Sequence, residues 1–139
     1  MKSKSRFTAV LILAAALAIP TIQSCSKYPE GPGMSIHSRA ERVANTWKVE
    51  NYKINGTDYT SGTSDYQETY SKDGQYSYTS GIFSGTSTWS FINDDEQIQI
   101  AETTTQDART LFILKLKEKE FWYYYMDGSD KHEFHMLQK

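Results

Sequence analysis

The chain has a single cysteine, Cys25, only three prolines and only three histidines in 139 residues. One cysteine excludes an internal disulfide, so any folded domain must be held by packing. Beyond Ile19 there is no apolar run long enough to cross a bilayer core of about 30 Å. Excess positive charge is also missing. Fifteen basic residues face seventeen acidic ones, and three of the basic residues, Lys2, Lys4 and Arg6, lie in the first two dozen positions. Without that segment, twelve basic residues face seventeen acidic, a net charge of −5. Such a balance argues against a nucleic acid held by charge.

What is present begins with a tripartite N-terminus. Lys2, Lys4 and Arg6 precede the apolar run Ala9 to Ile19, which has the length of a signal-peptide core and is too short to span a membrane. Pro20 then breaks any helix, because it has no amide proton to donate. Ile22-Gln23-Ser24-Cys25 follows and looks like a lipobox, with an aliphatic residue three before the cysteine and a small residue just before it. The expectation is a signal peptide over residues 1–24 and lipidation at Cys25, where sulfur forms the thioether to diacylglycerol. Further acyl chains, palmitate among them, would make the anchor stable, because each buried methylene contributes about 0.8 kcal/mol and a single chain holds only marginally. Residues 25–36, with Pro29, Gly31, Pro32 and Gly33, read as a flexible tether.

Residues 37–139 read as one domain with a modest core. Nine of the chain's ten tyrosines, five of its six phenylalanines and all three tryptophans fall here and give it a strong β and packing signal. His37 to Ala44 reads as one or two short helical turns, with Ile36, Ala40, Val43 and Ala44 spaced for one face. From Thr46 the pattern becomes one of strands. Trp47 and Val49 alternate with charged residues, Asn55-Gly56 marks a tight turn, and Lys72-Asp73-Gly74 joins Tyr66–Tyr70 to Gln75–Tyr78. Thr86–Ile92, Gln97–Ala101, Arg109–Leu116, Phe121–Met126 and Lys131–Leu137 complete eight strands. No helix separates them, so the strands are antiparallel, since parallel crossovers need a dozen or more residues. Eight such strands hide their edges most readily by closing into an up-and-down barrel.

The helical turn leading into Asn45-Thr46-Trp47-Lys48-Val49 resembles the start of a lipocalin-type barrel, in which the tryptophan plugs the closed end. Together with the lipobox, the Pro/Gly tether and the tyrosine-rich meander, it is similar to the lipocalin-like lipoproteins of the Bacteroidota. That resemblance implies a calycin-type barrel, non-enzymatic and without a cofactor, that takes a small hydrophobic molecule. It also implies a location in the cell envelope, lipid-anchored at the outer membrane on its periplasmic or surface face.

Groupings that could carry chemistry are few. His132-Glu133-Phe134-His135 is one residue short of the helical zinc motif, and on a strand its two histidines face opposite ways, so no metal is expected there. Asp94-Asp95-Glu96 lacks the longer loop and fixed glycine of a calcium site and reads as a turn. Gly81-Ile82-Phe83-Ser84-Gly85 misplaces its serine for a nucleophile elbow. The aromatic residues carry more weight. Trp47, Tyr70, Tyr78, Trp89, Phe112, Tyr123 and Phe134 are candidate interior, ligand-facing residues for a small hydrophobic or amphipathic molecule. Trp122 and Tyr124 form an outward aromatic face, which supports the alternative of an interaction or structural lipoprotein meeting an envelope protein or glycan.

Overall fold

The computed structural model describes residues 36–139. The proposed signal peptide, Cys25 and the tether through residue 35 lie outside the described residues.

A single short helix, α1 (Arg39–Val43), is followed by nine strands. These are β1 (Thr46–Ile54), β2 (Thr57–Asp58), β3 (Tyr66–Tyr70), β4 (Gln75–Ser80), β5 (Phe83–Ile92), β6 (Gln97–Ile100), β7 (Arg109–Leu116), β8 (Glu120–Asp127) and β9 (Asp130–Gln138). Every pairing is antiparallel, and each strand from β3 onward pairs with the next in sequence. β9 returns to β1, from Trp47 opposite Gln138 to Ile54 opposite His132, and this pairing closes an eight-stranded up-and-down barrel. β2 is a two-residue flap on β1, added by the turn at Asn55 and Gly56, both at positive φ.

Closure leaves none of the eight barrel strands as a free edge strand, and alternation then sorts the side chains of the described residues into inside and outside. Trp47, Glu68, Tyr70, Tyr76, Tyr78, Trp89, Ile98, Ile100, Leu111, Ile113, Phe121, Tyr123, Phe134 and Met136 are all buried. Two bulges adjust the alternation. One falls between Val49 and Asn51 opposite β9, and it lets both Val49 and Tyr52 face the interior side. The other falls between Ile113 and Lys115 opposite β8, so that Leu111, Ile113 and Leu116 are all buried along one strand.

The second bulge settles Phe112. It was expected inside, but it keeps the opposite parity from Leu111 and Ile113 and lies on the outer wall, stacked on Tyr124 with ring centroids 4.8 Å apart. The helix also differs from its expected extent. It spans five residues, and Ile36 stands 92% exposed instead of sharing a face with Val43.

The two barrel ends are unlike. α1 lies at the end where β1 starts, with the β3–β4, β5–β6 and β7–β8 turns. It reaches each of them: Glu41 to Lys72 at 3.3 Å, Arg39 to Asp95 at 2.9 Å and His37 to Glu118 at 2.8 Å. Val43 and Trp47, both fully buried, fill this end, and the indole nitrogen of Trp47 donates to the Val43 carbonyl at 2.9 Å. The described residues therefore hold all eight barrel strands, a plug and one contiguous core.

Candidate functional site

From the plugged end a column of rings climbs the interior. Trp47 meets Phe121 at 5.6 Å, Phe121 meets Tyr123 at 5.0 Å, and Tyr123 meets Phe134 at 5.4 Å. On the other side Tyr70 contacts Tyr76, Trp89 and Phe121 at 5.1 to 5.8 Å. Of the seven candidate interior residues, Trp47, Tyr70, Tyr78, Trp89, Tyr123 and Phe134 are buried, while Phe112 is on the outer wall.

In this aromatic interior sits Glu68, 1% exposed. It occupies the central inward position of β3, between Tyr66 and Tyr70. Four phenols donate to its carboxylate. Tyr66, Tyr123 and Tyr76 reach Oε1 at 2.7, 3.0 and 3.2 Å, and Tyr70 reaches Oε2 at 2.9 Å. A carboxylate offers about four acceptor positions, two on each oxygen, so this set fills Oε1 and takes one of those on Oε2. An isolated carboxylate in an apolar interior would be very costly, and charge-assisted hydrogen bonds offset that cost. The effect on the phenols is reciprocal. Burial, reinforced by the neighbouring Glu68 charge, holds Tyr66, Tyr70, Tyr76 and Tyr123 well above the ordinary tyrosine value of 10. Glu68 was absent from the expected interior residues, yet a period-2 reading of Tyr66-Gln67-Glu68-Thr69-Tyr70 places it inward with the two tyrosines.

Above this cluster the end opposite α1 is more polar. Tyr52 stacks on Phe134 at 4.3 Å, and its hydroxyl lies 2.6 Å from Nδ1 of His132. Burial pushes the Tyr52 phenol up to about 12. His132 stacks in turn on Tyr125 at 4.9 Å and 4° between planes, and the Arg109 guanidinium lies 4.6 Å from the centre of the Tyr125 ring. The Tyr78 hydroxyl is hydrogen-bonded to Thr105 of the β6–β7 loop. The Tyr78 ring lies so close over Gly85 that a Cβ there would fall 2.5 Å from its Cε1, which explains a glycine within β5. Tyr52, Tyr66 and Tyr125 are only partly buried, and Phe83 and Ile82 at the neighbouring β4–β5 turn are 63% and 94% exposed. A depression of about 280 Å³ opens between the β6–β7 loop and the end of β8, bordered by Arg109, Tyr125 and Gln106.

The outer aromatic face has a different construction. Trp122 and His135 stack at 3.9 Å and 2°, Phe112 and Tyr124 at 4.8 Å and 10°. Lys115 caps the Trp122 ring at 3.3 Å, and Lys131 caps Tyr124 at 4.6 Å. Glu133 binds both Lys131 at 2.7 Å and His135 at 3.0 Å. Burial alone would raise Glu133, but these two partners outweigh it and hold its carboxyl below the ordinary value. His132 and His135 thus serve opposite faces, one with Tyr52 and Tyr125 inside, the other with Trp122 and Glu133 outside.

The Asp94-Asp95-Glu96 stretch is a turn in which Asn93, Asp94 and Asp95 all take positive φ, between 51° and 62°. Its Asp95 serves the plug through Arg39. Comparison of the sequence with known proteins finds no matching family model and no similar characterised protein.

Proposed function

We propose that this chain is a lipid-anchored envelope lipoprotein of lipocalin-like type, whose barrel binds a small hydrophobic or amphipathic molecule without catalysing a reaction on it. The observation that carries this reading is the asymmetry of the barrel. One end is filled by Trp47, Val43 and a helix tied to three turns, while the other presents partly buried rings, a guanidinium and exposed apolar side chains. A purely structural barrel has no need of this difference, whereas a binding barrel needs one closed and one receptive end. The described chain enters at the plugged end, so a tether from Cys25 would leave the receptive end unobstructed. The most enclosed charged group, Glu68, spends most of its acceptor positions on four phenols, which suits a scaffold better than an acid or base catalyst.

The alternative, an interaction module working through Trp122 and Tyr124, has less support. Those rings spend their faces on His135, Phe112 and two lysines, and a glycan or partner would need the same faces.

Two measurements test the proposal. Metabolic labelling with palmitate should mark the unaltered protein and not its Cys25→Ser form; equal labelling of both, or none of either, contradicts the anchor. Residues 36–139 titrated with the neutral probe N-phenyl-1-naphthylamine should give saturable fluorescence at one probe per barrel, weakened by Phe134→Ala. A signal that never saturates contradicts the binding site.

A further inference from the structure

Arg109 is the first residue of β7 and shares the inward parity of Leu111 and Ile113. Its side chain is partly buried, and its guanidinium carbon lies 4.6 Å from the centre of the Tyr125 ring. Among the described residues, no carboxylate oxygen comes within 4.0 Å of its nitrogens. Two cations of the neighbouring outer wall do have acidic partners: Lys131 has Glu133, and Lys115 has Glu120. A guanidinium withdrawn from water without an anion is the less stable arrangement, and a bound anion would complete it. A guanidinium can meet a carboxylate with two parallel hydrogen bonds in its own plane.

Arg109 also borders the depression of about 280 Å³ beside the β6–β7 loop, together with Thr105, Gln106, Asp107, Tyr125 and Asp127. From Tyr125 an aromatic wall continues to His132 at 4.9 Å and Phe134 at 6.2 Å. We infer that this depression is a head-group subsite, in which Arg109 takes the carboxylate of a small monoanionic amphiphile while its apolar body lies against Tyr125 and the rings beyond. The inference rests on the reading of the barrel as a binding protein and deepens it. Asp107 and Asp127, both exposed on the rim, decide between anions. Their repulsion grows with the charge of the anion, so removing it helps a doubly charged phosphate about twice as much as a singly charged carboxylate.

The test uses residues 36–139 at fixed ionic strength, with hexanoate, hexanol and hexyl phosphate as probes, followed by amide chemical-shift titration. Hexanoate should bind roughly tenfold or more tightly than hexanol, with the largest shifts at Arg109, Tyr125 and Gln106. Arg109→Gln should bring hexanoate down to the level of hexanol. Asp107→Asn with Asp127→Asn should strengthen hexyl phosphate more than hexanoate, and this pair of exposed positions keeps the test open if Arg109→Gln fails to fold. Equal binding of hexanoate and hexanol to the unaltered protein overturns the subsite and leaves the barrel reading standing. An unchanged preference among the anions in the double variant does the same. Binding of none of the three overturns both.

Discussion

The burial of Glu68 depends on tyrosine hydroxyls. Its two oxygens accept from Tyr66, Tyr70, Tyr76 and Tyr123, and removing the carboxylate strands four donors in an interior with little else to accept them. Glu68→Ala should therefore lower stability by about 3–5 kcal/mol, and the isosteric Glu68→Gln, which replaces one acceptor by a donor, by about 1–3 kcal/mol. Urea denaturation of residues 36–139 measures both; a Gln form as stable as the parent would mean that the cluster contributes little. The same network sets an alkaline limit. These phenols are raised above 10 in the folded protein, so they favour folding fully below the unfolded value of 10. As pH rises past 10 the unfolded chain ionises while the folded one does not, and the urea midpoint should fall continuously from there. A midpoint flat from pH 8 to 11.5 would contradict the assignment. The sequence disclosed the tyrosines by composition alone. Glu68 was legible only through parity, because a glutamate between two aromatic residues looks like a solvent position until its strand register is fixed.

α1 has only five residues, too few to persist by backbone hydrogen bonding, so its caps and docking hold it. Ser38 and Glu41 form a reciprocal capping box, with Glu41 N–H donating to the Ser38 hydroxyl at 3.2 Å and Ser38 N–H to the Glu41 carboxylate at 2.8 Å. Those hydrogen bonds, the backbone one first, with help from Lys72, pull Glu41 from 4.5 down to about 2. A lowered carboxyl favours the folded state above its unfolded value and loses that contribution as pH falls through the folded one. The plug should thus loosen between pH 4.5 and about 2, earlier than the barrel wall, and a carboxyl-carbon titration of Glu41 by NMR should show the depressed midpoint. A midpoint at 4.5 would contradict it. Ser38→Ala removes one half of the box and should cost about 1 kcal/mol. The eight barrel strands and the main turns were legible because alternation and Asn-Gly or Asp-Gly pairs are local signals. The β7 register was not, since Leu111 to Leu116 is apolar at nearly every position and only the bulge after Ile113 selects the inner set.

At the scale of the molecule, the described residues form a closed barrel with one plugged end and one more polar end. Closure was foreseeable from the count of strands and their short connections, because an open eight-stranded meander would leave two edges exposed. The polar mouth was not foreseeable, because Arg109, His132 and Tyr52 are far apart in sequence and come together through the β1–β9, β8–β9 and β7–β8 pairings. The proposed function rests on that meeting: the mouth brings together rings and a cation suited to an amphipathic guest, and Trp47 and Val43 fill the far end. Native mass spectrometry of the protein gently released from its own membranes tests this most directly. The account predicts a population carrying one small hydrophobic or amphipathic molecule per chain, lost on Phe134→Ala; an unaltered protein that is always bare, and takes up no such molecule when one is added, would contradict it.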